Sequence, residues 1–320
     1  MPAETLTVSR RDVRPTDLGD VLGPAEDRYF GAGYRDVRYT LEDPTRGPGS
    51  TGMASAIASA AYPERWSVGS DGSRRIPHLS SVDAIVLPLM VLEALTGSED
   101  RERLSSLYVE SIELRAGPTP WENLDAVPIG LELSGNDQLR TLSGSVGNIR
   151  SRLTLKRALG DGSVRPPKAE PTTVYGGLFQ SNTSRTQSSQ LVLAGPVLHA
   201  SHQHMIERPL CAAPGVEADF WPAMTVIDYL VMMGQLTQGA VYSAGGTDRA
   251  HVGTLWMRTM KIALDGPPSR TPDFQSSTRL IRDRAIEHGG RRVHDVIVES
   301  STTTGVRARS SLAYNESTDR

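Results

Sequence analysis

The chain reads as an α+β protein built twice from one unit, a mainly antiparallel sheet packed on one long central helix. Three observations predict this. Two apolar stretches of helical character, His78 to Leu95 and Ala223 to Leu236, align at an offset of 145 residues, each placing a Ser or Thr three residues before an Asp. Each is followed by a strand candidate, Leu107 to Leu114 and Leu255 to Ile262, which match in chemical type at an offset of 148. Ile149 to Arg152 (IRSR) then matches Val306 to Arg309 (VRAR) at an offset of 157. Offsets that grow slowly and in order are what small loop insertions between two copies of one unit produce.

The elements follow in chain order. The first apolar stretch, HLSSVDAIVLPLMVLEAL, starts on Ser80-x-x-Asp83, a capping pattern, and predicts a helix beginning near His78. Alternation in LYVESIEL predicts a strand after it. Gly160 to Gln190 is rich in Gly, Pro, Ser and Thr and predicts a linker, so a domain boundary is expected near residue 165, with units at 1–165 and 166–320. In the second unit, Pro222 suits a first helical turn with Asp219 as its cap, which predicts a helix start near Trp221. Gly289-Gly290 between two β-compatible runs predicts a hairpin. Strand and helix units do not alternate, so a doubly wound parallel sheet is disfavoured.

Composition narrows the function classes. With 34 Lys and Arg against 37 Asp and Glu, the net charge of −3 carries no basic footprint of a nucleic-acid binder. One cysteine, Cys211, excludes an internal disulfide and a thiolate-rich zinc site. The longest apolar run, Ala84 to Leu92, is too short to span a bilayer, and a soluble, cytoplasmic protein without membrane partners is expected. No phosphate-binding loop, dinucleotide fingerprint, H-E-x-x-H or G-x-S-x-G motif occurs, and no cofactor is expected.

A sheet wrapped on one long apolar helix resembles the hotdog fold, and its tandem copy resembles a double hotdog. VLGPAEDRYFGAGYRDVRYTL (Val21 to Leu41), with PHLSSVDAIVLPL further on, resembles the avirulence D family of bacterial proteins over nearly the whole chain. That resemblance implies the making of acyl-sugar signals of the syringolide type, in which a β-ketoacyl thioester is joined to a small sugar, and is similar to the logic of γ-butyrolactone signal synthases. It implies an acyl carrier protein or CoA thioester and a small sugar or polyol as partners, and a monomer with an internal pseudo-dimer or a homodimer. The same fold also serves thioesterases and dehydratases, and a non-catalytic acyl-chain binding module stays open beside them.

Acyl transfer to a hydroxyl needs a base and donors aimed at the developing oxyanion, and a helix N-terminus supplies such donors. The candidate sites are therefore the two helix starts. At the first lie His78, Ser80, Ser81 and Asp83; at the second Trp221, Thr225 and Asp228. Asp228 is the leading catalytic candidate, because a helix starting near Trp221 would bury it among Val226, Ile227, Leu230 and Val231, although Thr225-x-x-Asp228 also fits the capping pattern of Ser80-x-x-Asp83. His78 is the second, as base or as a solvated loop histidine, and Asp83 the third, as acid or as a helix cap. His199, His202 and His204 cannot converge on a metal from one strand, so no metal is expected; His204 is a candidate pocket residue. Arg150, Arg152, Lys156 and Arg157, and Arg279, Arg282, Arg284, Arg291 and Arg292, read either as solvated strand faces or as a docking patch for a phosphopantetheine arm or carrier protein.

Overall fold

Thirteen strands form one antiparallel sheet on which two long helices pack. The structure, a computed structural model, describes residues 13–48, 52–69, 72–97, 101–158, 172–192, 195–206, 213–245, 249, 252, 254–288 and 291–315. In chain order the elements are β1 (Val13–Pro15), α1 (Leu18–Leu22), β2 (Arg38–Arg46), β3 (Met53–Ala61), α2 (Asp83–Leu95), α3 (Arg101–Ser105), β4 (Leu107–Arg115), β5 (Val127–Gly135), β6 (Leu139–Val146) and β7 (Ile149–Arg157). There follow β8 (Asn182–Val192), β9 (Val197–Ile206), α4 (Val226–Ala244), β10 (Trp256–Leu264), β11 (Asp273–His288), β12 (Arg291–Thr302) and β13 (Val306–Asn315).

The sheet order is β1-β8-β9-β11-β12-β13-β10-β4-β7-β6-β5-β3-β2. Taken from its outer edge inward, the first half runs β2-β3-β5-β6-β7-β4, and the second runs β8-β9-β11-β12-β13-β10. Each strand of one half thus has a counterpart in the other, and α2 and α4 occupy the same place in the two sequences of elements. The halves meet where β10 pairs antiparallel with β4, in the register Thr259 with Arg115 and Lys261 with Glu113. At the offset of 148, Lys261 is the counterpart of Glu113 itself, so the local two-fold axis relating these strands passes through this pair.

Two sequence expectations meet their strands here. LYVESIEL and LWMRTMKI form β4 and β10, and IRSR and VRAR open β7 and β13. The runs flanking Gly289-Gly290 pair as the β11–β12 hairpin; the glycines lie outside the described residues. The boundary near residue 165 also lies outside them. The predicted linker is corrected in part: Asn182–Gln190 lies within β8, and Tyr175 and Phe179 are fully buried. A Ser/Thr-rich run suits a strand whose outer face meets water, which composition alone could not separate from a loop.

The helices sit where their apolar surface can be covered. α2 is buried on nearly every side, from Asp83 to Glu93 except Met90, and packs on β2, β3, β5, β6 and β7. It tolerates Pro88 because the carbonyl of Ala84, which an N–H at position 88 would have met, accepts from Ser151 Oγ on β7 at 2.8 Å. α4 packs on β8, β9, β11 and β12, and α1 leans on it. Residues 13–22, the first described in the chain, therefore belong in space to the second half: β1 pairs with β8, and Leu22 is buried with Val241 and Tyr242. Among the described residues, no helix is long and apolar enough to cross a membrane.

Both helix starts differ from the expectation. The first α-helical bond toward Ser80 is made by Ala84 N at 3.2 Å, and Ser80 Oγ accepts from Asp83 N at 3.3 Å, so Ser80 caps α2 and His78 precedes it. In the second unit Thr225, not Asp219, is the cap. Pro222 therefore lies before the helix, and Asp228 falls in the first turn rather than in the helix interior. A Thr with a carboxylate three residues on satisfies two backbone donors at once, which outcompetes a start at the proline.

Candidate functional site

The first-turn N–H groups of an α-helix have no helical carbonyl to meet, so a helix start that faces a cavity presents donors to whatever fills it. The start of α2 does so. Ser80 and Ser81 line a cavity of roughly 1010 Å³ that runs between the two halves. Its wall along the second half includes the apolar Leu230 and Met233 from α4, Met260 and Ile262 from β10, Val298 from β12 and Leu312 from β13, beside polar side chains such as Thr237 and Gln238. Phe30 reaches this wall because position 234 is Gly; a Cβ there would stand 2.7 Å from the Phe30 ring.

His78 also lines the cavity. Its ring packs against Trp66 and Trp256, at centroid distances of 5.3 and 5.2 Å. Nδ1 lies 3.2 Å from the carbonyl of Ile76. A carbonyl only accepts, so Nδ1 carries the proton and the lone pair of the neutral ring is on Nε2. Two indoles and one carbonyl thus set the plane and tautomer of the ring.

Behind Ser80 sits a closed set of hydroxyls. Tyr29 Oη and Ser80 Oγ share a hydrogen bond of 2.6 Å. Asp83 is fully buried; it accepts from Ser80 N at 2.6 Å, from Tyr39 Oη at 2.7 Å and from Tyr62 Oη. Burial raises its pKa while the bonds from Tyr62, Ser80 and Tyr39 pull the other way. Burial and the adjacent carboxylate push Tyr29, Tyr39 and Tyr62 well above the ordinary phenol value, so all three stay protonated, and Tyr39 and Tyr62 donate to Asp83. Asp83 does not line the cavity. It orients the first turn of α2 and, through Ser80, the phenol of Tyr29.

The start of α4 is closed. Asp228 Oδ2 accepts from Thr225 N at 2.6 Å, Thr225 Oγ1 at 2.8 Å and Asn182 Nδ2 at 3.3 Å. Burial raises its pKa, and nearby His204 is the largest opposing influence. His204 Nε2 lies 3.2 Å from the carbonyl of Pro222 and donates to it. Trp221, Thr225, Asp228 and His204 are all buried, and none lines the cavity. The structure thus groups His78, Ser80 and Ser81 at the cavity, sets Asp83 one layer behind, and gathers the other four candidates in a separate polar cluster.

The remaining histidines are apart. His202 stacks on Phe274 at 4.9 Å and bonds Ser276, and burial lowers its pKa to about 4, while His199 points to solvent. Among the described residues no group of three metal-ligating side chains forms. Cys211 and Glu207 lie outside the described residues. Along β7 the basic residues alternate with buried ones, as a solvated strand face does, though Arg150 also reaches the cavity.

Sequence reasoning missed Arg28, Tyr29, Tyr39, Tyr62, Trp66, Arg75, Arg249 and Trp256. A signal existed for some of them. Tyr29, Phe30, Tyr34 and Tyr39 fall within eleven residues of a chain that is only 5% aromatic, inside the segment that carries the family resemblance. Aromatic clustering outside a periodic element marks side chains meeting a common distant partner, here the start of α2.

Among solved structures, the chain is similar to a tesB protein of Mycobacterium avium subsp. paratuberculosis, at 11% identity and TM-score 0.44 over 94% of this chain and 100% of that one. It is also similar to a hot dog fold protein of unknown function from Alicyclobacillus acidocaldarius, at 13% identity and TM-score 0.39 over 87% and 96%. A third is the dehydratase domain of the polyketide PpsC from Mycobacterium tuberculosis, at 14% identity and TM-score 0.40 over 87% and 98%. No curated protein matches. The family model described as Pseudomonas avirulence D protein (AvrD) matches residues 16–316, nearly the full length, and the chain belongs to that family.

Proposed function

We propose that the two halves are hotdog units in tandem and that the cavity at the start of α2 joins an acyl thioester to a small sugar or polyol. The repeated strand order about β4 and β10 supports the first statement. One observation carries the second: one cavity is lined by His78, by the start of α2 and by apolar side chains of α4 and β10. A β-ketoacyl chain would lie on Leu230, Met233 and Ile262, its thioester carbonyl toward the N–H group of Ser81. His78 Nε2 would take the proton of the acceptor hydroxyl, its oxygen would attack the carbonyl, and the thiol would leave with that proton.

Under this reading Asp83 is a positioning residue, and Asp228 with Thr225, Trp221 and His204 holds the start of α4 rather than reacting. Of the two equivalent helix starts only that of α2 meets the cavity, so one site works.

The test is to incubate the protein with a β-ketoacyl thioester, with and without ketoses, following free thiol and product mass. Sugar-dependent thiol release with a condensed product mass is expected. Release without sugar would replace the reading by thioester hydrolysis, and binding without release by an acyl-chain binding module.

A further inference from the structure

Charge is distributed around the cavity in a way that transfer of a neutral sugar does not require. Six arginines line it, Arg28, Arg75, Arg115, Arg150, Arg249 and Arg258, and among the described residues no Asp or Glu does, in a chain whose net charge is −3. Three of them come from different segments and gather at one place. Arg28 is only 8% exposed and spends Nε on the carbonyl of Pro24 at 3.1 Å and one terminal nitrogen on Gln235 Oε1 at 2.8 Å. Arg249 reaches Ser67 Oγ at 3.1 Å and the carbonyl of Asp27 at 3.4 Å, and Arg75 reaches Thr254 Oγ1 at 2.9 Å. Every one of these partners is uncharged; among the described residues none of the three arginines forms an ion pair.

Clustered guanidinium groups with no described carboxylate in contact are expensive, since each loses water and repels its neighbours. The repulsion is felt here: desolvation and Arg249 hold Arg28 down at about 10 against a pull from Glu26, and desolvation and Arg75 lower Arg249 against Tyr242 and Asp27. A protein that keeps such a group together keeps it for an anion. Planar guanidinium forks are suited to the oxygens of a phosphate, to which they donate in pairs.

We propose that Arg28, Arg75 and Arg249 form a phosphate-ester subsite of this cavity. The subsite deepens the acyl-transfer reading and rests on it only for the reaction, because anion binding needs no turnover. Two substrates could bring the ester, a phosphorylated sugar as acceptor or the phosphates of a CoA thioester as donor. Arg115, Arg150 and Arg258, at the β4–β7–β10 side, extend the same positive field.

Calorimetric titration of the full chain tests it, with inorganic phosphate, ribulose 5-phosphate against ribulose, and acetyl-CoA against acetyl-pantetheine. Phosphate and at least one phosphorylated probe should bind, each unphosphorylated counterpart at least tenfold more weakly, and affinity should fall as salt rises. Arg75→Gln and Arg249→Gln, which remove less buried members than Arg28→Gln, should each weaken the phosphorylated probe about tenfold or more with the unfolding temperature nearly kept. A preference confined to ribulose 5-phosphate assigns the ester to the acceptor; one confined to acetyl-CoA assigns it to the donor. Absence of phosphate-dependent binding, or binding that both variants retain, would overturn the subsite. Sugar-dependent thiol release with unphosphorylated ketoses would then still uphold the transfer reading, just as phosphate binding without thiol release would uphold the subsite alone.

Discussion

His78 is held by geometry rather than by charge: two indoles fix its plane and one backbone carbonyl fixes its tautomer, so Nε2 is the atom left to react. Under the proposed transfer reading this ring is the general base, which contributes about 10²–10⁴-fold to a proton-transfer step. His78→Ala should therefore slow sugar-dependent thiol release by that factor while the unfolding temperature stays nearly constant, since the ring lies at a rim. Asp228→Asn, in the closed cluster at α4, should leave release within a few-fold of wild type. The reverse pattern, with Asp228→Asn inactive and His78→Ala active, would move the site to the start of α4. This residue was legible as a candidate because it stands at the expected start of the first helix and imidazole is the commonest general base. Its rank was not, since Asp228 drew attention only while its helix was expected to begin near Trp221. What moved it was one cap, Thr225, whose side chain and carboxylate partner settle the first turn three residues later. The arginine trio had no signature, because Arg28, Arg75 and Arg249 are brought together only by the fold.

At the scale of elements, α2 shows how a sequence conflict is resolved by a neighbour. Proline in a helix interior deletes one N–H and would strand the carbonyl four residues back. Here that carbonyl, of Ala84, is met by Ser151, which is only 3% exposed. Ser151→Ala should then cost about 1–3 kcal/mol, the penalty of a buried acceptor left unmet. Pro88→Ala restores the N–H, so in that background Ser151→Ala should cost well under half as much, and urea unfolding of the four proteins closes the cycle. Equal costs in both backgrounds would show that the Ser151 bond does not stand in for the missing N–H. The helices themselves were readable, being long apolar runs with Ser or Thr and Asp at their starts. β3 was not: MASAIASAA is alanine-rich and reads poorly as a strand by composition, yet its residues alternate between buried and exposed because pairing with β2 and β5 decides.

For the whole molecule, the duplication was the most legible feature, and the sheet repeats it strand for strand. The pair at its axis, Lys261 and Glu113 at 2.6 Å, is about half exposed or more on both sides, so it marks the two-fold rather than holding it. What joins the halves more firmly is Glu217, fully buried, which accepts from Val109 N of β4 at 2.9 Å and from Tyr175 Oη at 2.7 Å. Nothing in the sequence singled it out, because its partners are distant in the chain. Burial, with a smaller push from Asp228, raises its pKa to about 7 from the ordinary 4.5, against the pull of those two hydrogen bonds. The folded chain therefore keeps this proton to about pH 7 while the unfolded chain releases it near 4.5. Between those values the native state binds more protons, so this group's contribution is fully present below about pH 4.5 and declines by about 3 kcal/mol as pH rises through 7. Glu217→Gln removes the titration and leaves the other buried acids, Asp83, Glu93 and Asp228, to act in both proteins. The stability of the variant relative to wild type, from urea unfolding at pH 4.5 and at pH 8, should rise by about that amount, placing the change between the two halves rather than at the cavity. A difference that stays constant across this range would mean that Glu217 is ionised in the folded protein throughout, and that the junction between β4 and the segment leading into α4 is open to water.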